Sequence, residues 1–277
     1  AVGVNALGQQ NRDTDVYNVA VGHAAGNNIT TGIQNTMIGA LTGDAVTSGS
    51  NNTFVGMSAG GEGVTTGSSN TCIGVAALSK VTSGESNCAM GQDAGANVTS
   101  GSNLLLLGHD AGVSGSPGGN FVTASNAVVL GDENITSLDC QTSLTAASDQ
   151  RDKTDFVDLD LGLDFVKALE PVTYYWDKRS KYGDKYAEDY DLNAQTPDGT
   201  HKEDWMDIGF KAQSVQALEE AAGYKIADKK NLTVSLSNDG KQYSLKYDKF
   251  IPILVKAMQE QNALIEALTA RITTLEG

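Results

Sequence analysis

The chain has 277 residues and a formal net charge of −15, which is long enough for two domains and lacks the basic stripe that nucleic-acid binding requires. No apolar run reaches the ~20 residues that span a bilayer, so neither membrane insertion nor a signal peptide is expected. Cys72, Cys88 and Cys140 show no CxxC spacing and His23, His109 and His201 are scattered, so no disulfide framework, metal site or cofactor is expected.

Composition divides the chain near residue 147. Of the 31 Gly, 24 precede position 148; Lys/Arg and Asp/Glu number 2 and 10 up to residue 147, then 17 and 24 beyond it. The expected domains are 1–147 and 148–277. Because it opens on Ala1 rather than Met, the chain is expected to be the C-terminal piece of something longer.

The first half repeats. NVAVG (18–22), NTMIG (35–39), NTFVG (52–56), NTCIG (70–74) and NCAMG (87–91) place Asn18, Asn35, Asn52, Asn70, Asn87 and Asn103 at intervals of 17, 17, 18, 17 and 16 residues. Each unit predicts a short strand, a Gly, a second small residue four positions on (Leu78 is the exception), a β-branched residue (Ile29, Val46, Val64, Val81, Val98) and a Thr/Ser-Gly turn. Gly at fixed points supplies tight turns, and a unit this short cannot bury its own apolar face, so units must stack. The recurring Asn predicts a ladder of side chains between repeats. Cys72 occupies the slot of Met37 and Phe54 and reads as core; Ile38 is likewise expected to point inward. Continuous apolar runs such as Val19-Ala20-Val21 fit strands covered on both faces, and side-by-side association of identical chains would supply the second cover. Asn103 and Asn126 reach Gly108 and Gly131 in five steps rather than four, across the loop SGSPGGN (114–120). No GxGxxG opens an amphipathic helix and GxxxxGK[ST] is absent, so the glycines read as turns rather than phosphate cradles. In style this half resembles the Gly/Asn/Ala repeats of trimeric bacterial adhesin heads and phage tail-fibre shafts.

The junction carries the candidate chemistry. In AASDQRDK (146–153), Ser148 and Lys153 stand five residues apart around Asp149 and Arg151. Alone this is a solvated turn. Downstream follow GLDFVKALEPVTYYW (162–176), GFKAQSVQAL (209–218) and YDKFIPILVKAMQEQ (247–261). These four stretches, in this order, resemble the intramolecular chaperone domain of phage endosialidases and tail fibres, the S74 peptidase family. The resemblance covers 148–277. It implies a domain that drives trimerisation of the β-structured fibre before it and is then released by self-cleavage, with motif S-D-x-R-x-K matched by Ser148, Asp149, Arg151 and Lys153. Ser148 is then the nucleophile and Lys153 its base, cutting beside Ser148. A Lys serves as base only where desolvation or nearby positive charge favours the neutral amine. Arg151 either repels the ammonium or pairs with Asp149, and His201, brought close by folding, is a second candidate base.

The remaining stretches predict structure. DLGLDFVKALEP puts Leu163, Val166 and Leu169 at helical spacing, closed by Pro171. VTYYW alternates as a strand, SVQALEEAAG (214–223) is a helix ending at Gly223, and 231–247 is a hairpin turning at Asn238-Asp239-Gly240. Trp176 and Trp205 read as core or interface anchors ahead of a sugar site, and the acidic stretch 184–204 as a solvated loop without calcium-loop spacing. From about Phe250 a heptad places Ile251, Met258, Ile265 and Ile272 at a and Leu254, Gln261, Leu268 and Leu275 at d, a coiled coil with one polar layer. Ile at a with Leu at d leans toward two strands; the resemblance implies three.

The expected fold is thus a mainly β repeat shaft of stacked or intertwined short strands, trimeric, followed by a small α+β domain ending in a long coiled-coil helix. The expected protein is the C-terminal region of a homotrimeric tail fibre on the virion, assembled in the host cytoplasm and presented to a bacterial surface receptor, glycan or protein. The alternative is a non-cleaving trimeric surface adhesin whose S74-like domain stays attached as a knob.

Overall fold

A computed structural model describes residues 1–10, 15–187 and 189–277. The repeats form short parallel strands, β1 (Val19–Val21), β2 (Thr36–Ile38), β3 (Thr53–Val55), β4 (Thr71–Ile73), β5 (Cys88–Met90), β6 (Leu104–Leu107) and β7 (Ala127–Leu130), which pair in sequence order. Parallel neighbours need a crossover between them, and here the rest of each repeat is that crossover, so the chain winds as a β-solenoid. The register is uniform: Met37 lies beside Phe54, Phe54 beside Cys72 and Cys72 beside Ala89.

The Asn ladder holds the coils together. Asn35, Asn52, Asn70 and Asn87 are buried. The Asn52 Oδ1 accepts from the Asn70 N–H at 2.9 Å while its Nδ2 donates to the Gly67 carbonyl at 3.1 Å. Asn18, Asn35, Asn70 and Asn87 make the equivalent pair of bonds. Each Asn thus satisfies one donor and one acceptor that the turn would otherwise bury unpaired. Gly39 shows why the residue after each strand is Gly. Its φ of +139° is closed to L side chains, and a Cβ there would meet the Gly56 carbonyl oxygen at 2.6 Å.

Two inward assignments need correction. Alternation along a strand sends successive side chains to opposite faces. The middle residue is the buried one, so Met37 is 0% exposed and Ile38 is 42% exposed and points outward. Ile29, Val46, Val81 and Val98 fill the interior as expected, but Val64 is exposed and Thr65 takes its place. The coil between Asn52 and Asn70 is one residue longer than its predecessor, and the Thr65 hydroxyl satisfies itself on the Val81 and Gly63 carbonyls. Cys72 is buried in the interior column, and burial pushes its thiol up. Leu78, the non-Gly exception, adopts φ +48° in the core.

Two compact units result, and neither is continuous in sequence. The first joins Ala1–Thr136 to Asp177–Lys202 and Ser237–Gln242; the second comprises Ser137–Trp176, Glu203–Leu236 and Tyr243–Gly277. Segments that composition assigns to the C-terminal half therefore pack with the solenoid. In the first unit they meet its last coils. The Asp239 carboxylate accepts from the Asn120 N–H at 3.0 Å, the Asn238 N–H donates to the Gly118 carbonyl, and Arg179 donates to the Lys241 carbonyl at 2.7 Å. The stretch 184–204 is not simply solvated, since Leu192 is buried in it; Glu188 lies outside the described residues.

The second unit holds α1 (Leu163–Ala168), β8 (Val172–Tyr174), β9 (Asp207–Gly209), α2 (Ala212–Ala221), β10 (Val234–Leu236), β11 (Tyr243–Leu245) and α3 (Phe250–Glu276). β8 pairs β9 and β10 pairs β11, both antiparallel, the latter as the expected hairpin. Leu161, Phe165, Val215, Val234, Phe250 and Ile253 form its core. The first turn of α1 lacks a side-chain cap of its own, and the Glu260 carboxylate from α3 accepts the Leu163 N–H at 2.7 Å. Buried Glu219 accepts from the backbone of Leu232 and Thr233, tying α2 to the hairpin. Among the described residues, no helix is long and apolar enough to cross a membrane.

Candidate functional site

Ser148 opens a tight polar turn. Asp149 caps a single 3-10 turn over Gln150–Asp152, its carboxylate accepting from the Arg151 N–H at 2.9 Å. The same carboxylate takes the Arg151 guanidinium at 2.6 Å, so of the two roles open to Arg151 the structure shows pairing with Asp149. That pairing holds the exposed Asp149 carboxyl below its usual range and raises Arg151. The turn closes when the Lys153 N–H reaches the Gln150 carbonyl, and this folds Lys153 back onto Ser148. The Lys153 Nζ lies 2.6 Å from the Ser148 Oγ and 3.2 Å from the Ser148 carbonyl oxygen. The four motif residues therefore come together within one turn. Asp149 and Arg151 build it, and Ser148 and Lys153 touch. All four are exposed to solvent in the single chain.

Other residues singled out from sequence have contacts of their own. The His201 ring packs edge-on against Tyr182. Trp176 donates to the Asp207 carboxylate at 3.2 Å and meets Tyr174 edge-on, yet it and Trp205 are half exposed, so neither is a core anchor. The heptad positions of α3 (Ile251, Leu254, Met258, Ile265, Leu268, Ile272, Leu275) are exposed, because the helix packs on its own unit through Ile253 and Ala257 instead.

Sequence reasoning missed a buried charge cluster in the first unit. Lys185 Nζ sits 2.7 Å from both the Asp110 and the Glu133 carboxylates, and the Tyr186 hydroxyl donates to Asp110 at 2.7 Å. Burial opposes the Lys185 ammonium, but the bonds to Asp110 and Glu133 outweigh it and its pKa is raised. Partial burial likewise opposes the charge on Asp132, yet bonds from Asn134, with His109 and Lys185 nearby, hold its carboxyl below the usual range. Asp93, His109 and Asp110 bring ligand atoms within 4.8 Å of one another; the Asp110 Oδ2 is shared by Lys185 and Tyr186, which makes the cluster an ion-paired latch. Its partners lie 52 to 76 residues apart, and no local motif marks them.

With this geometry in place, comparison with known proteins yields one match. Residues 148–224 match the peptidase S74 family, described as the chaperone of endosialidase. This S74-like segment covers 77 of the 277 residues. The match begins at Ser148, the first residue of the turn, so the Ser-Lys contact stands at the N-terminal border of the segment. With the β-solenoid ahead of it, the S74 segment fits an endosialidase-type tail fibre. No curated protein and no solved structure matches the chain.

Proposed function

We propose that the chain is the C-terminal part of a homotrimeric phage tail fibre in which the S74 segment directs assembly of the shaft and then cuts the chain beside Ser148. The observation that carries this is the Lys153 Nζ at 2.6 Å from the Ser148 Oγ, at the first residue of the family match. In the reaction, neutral Lys153 takes the Ser148 hydroxyl proton as Oγ attacks the adjacent peptide carbonyl. The C–N bond then breaks, Lys153 returns the proton to the departing amine, and water hydrolyses the ester left on Ser148. The turn is open to water in one chain, so the neutral amine needs cover that a neighbouring copy would supply. The virion is the setting, and the shaft serves attachment to a bacterial surface glycan or protein.

One observation favours the attached-knob reading. The Lys185 latch and the Asp239–Asn120 bond join 177–202 and 237–242 to the last coils of the solenoid, so a cut beside Ser148 does not by itself free them. A denaturing gel with mass spectrometry of fragment ends separates the readings. Self-cleavage gives pieces of about 147 and 130 residues from the 277-residue chain and a single band for Ser148→Ala. An intact wild-type band leaves the knob.

A further inference from the structure

The outward rows of the shaft sheet form one continuous surface. The last residue of each strand (Val21, Ile38, Val55, Ile73, Met90, Leu107, Leu130) points away from the interior, and all seven are apolar. The companion row two residues earlier on each strand runs from Val19 through three threonines, Cys88 and Leu105 to Val128. No charged residue occurs in either row. The charges of the same coils, Asp44, Glu62, Lys80, Glu85, Asp93 and Asp110, lie outside both rows. Six strand spacings of ~4.8 Å make the stripe about 29 Å long. Its exposed area, on the order of 800 Å² with the flanking Leu41, Met57 and Val75, exceeds the largest patch of a typical monomer and equals one partner's share of a stable interface.

We propose that this face is where the other copies of the chain pack, the three stripes running parallel and turned toward a common axis. The inference rests on the homotrimer reading above and adds the surface that reading leaves unspecified. A charge-free stripe gives a polar or charged partner nothing to pair with. Its period is one coil, so the surface that matches it layer by layer is another shaft with the same strand spacing. Copies joined through the exposed heptad face of α3 would run parallel, which is the register the stripes need. The outward direction of Ile38 and Ile73, a buried position in neither case, then has a use.

Thiol protection tests it. In the full chain with Cys88→Ser and Cys140→Ser, Cys72 stays buried and each new thiol is read alone. Ile38→Cys and Ile73→Cys are labelled with maleimide in the native state beside Glu62→Cys, with the mass taken by sedimentation. The expected result is an oligomer in which positions 38 and 73 label at least tenfold more slowly than position 62, all three becoming equal once denaturant dissociates it. An oligomer in which positions 38 and 73 label as fast as 62 overturns this face and leaves the homotrimer standing. A monomer at micromolar concentration overturns the homotrimer reading itself, and the face with it.

Discussion

Asn52→Ala tests the ladder where it is most enclosed. Asn52 is fully buried, and its side chain serves two backbone groups of adjoining coils, the Asn70 N–H at 2.9 Å and the Gly67 carbonyl at 3.1 Å. Alanine removes both bonds and leaves a donor and an acceptor that neither water nor another side chain reaches. An unmade buried hydrogen bond costs about 1–3 kcal/mol per group, so the pair predicts a loss of ~2–6 kcal/mol. Ser50→Ala is the control: its hydroxyl accepts from the Ile33 N–H at 3.1 Å on the edge of the same coils, where solvent can replace it, and the expected loss is under ~0.5 kcal/mol. Chemical denaturation followed by circular dichroism measures both. An Asn52→Ala shaft within about 0.5 kcal/mol of wild type would refute the reasoning, since it would mean that the ladder relaxes freely rather than fixing the coil spacing.

Met37→Asp places a charge in the solenoid interior and should unfold the shaft, whereas Ile38→Asp should leave the coil folded; equal circular dichroism loss in both would contradict the inward and outward assignments. Lys185→Met strands the Asp110 and Glu133 carboxylates and should cost about 3–5 kcal/mol, read as a lowered melting temperature and faster proteolysis within 177–202. Removing 261–277 keeps Ile253, Ala257 and the Glu260 cap of α1 while deleting most of the heptad, so the second unit should stay folded and sedimentation should show loss of the proposed trimer. Lys153→Arg keeps the positive charge but cannot give up its proton, so processing should stop; normal cleavage in that variant would exclude Lys153 as the base and leave Ser148 open as nucleophile.

The period of the shaft was legible because a solenoid writes its geometry once per coil. Asn52 and Asn70 mark the ladder, and the Gly after each strand marks a backbone that no side chain tolerates. Direction was less legible. In Thr36-Met37-Ile38 two of three residues are apolar, so alternation alone does not say which face is the interior; the outward row that holds Ile38 is as apolar as the inner one. The second left-handed corner of each coil was invisible for another reason. Ala24, Leu41, Ser58 and Ala76 adopt φ between +54° and +57°, and none of these residue types announces that conformation. There the stacking of coils overrides local preference.

The candidate site divides in the same way. Ser148 and Lys153 are paired in the sequence through the family motif that the stretch resembles, and one turn, capped by Asp149, brings them together. The latch could not be read that way, because Lys185 meets Asp110 and Glu133 only after the chain has left the solenoid and returned to it. That return has a physical reason. A solenoid that ends abruptly leaves its last coil with exposed apolar surface and unpaired strand edges. Segments 177–202 and 237–242 supply hydrogen bonds and a cation to that end. In the proposed function, these contacts act on the shaft separately from the Ser-Lys turn. They favour a completed last coil over a frayed one by their own binding free energy, whatever happens at the peptide bond beside Ser148. In the proposed function, templating and cutting fall to different residues, and substitutions at Lys185 and at Lys153 should fail in different assays.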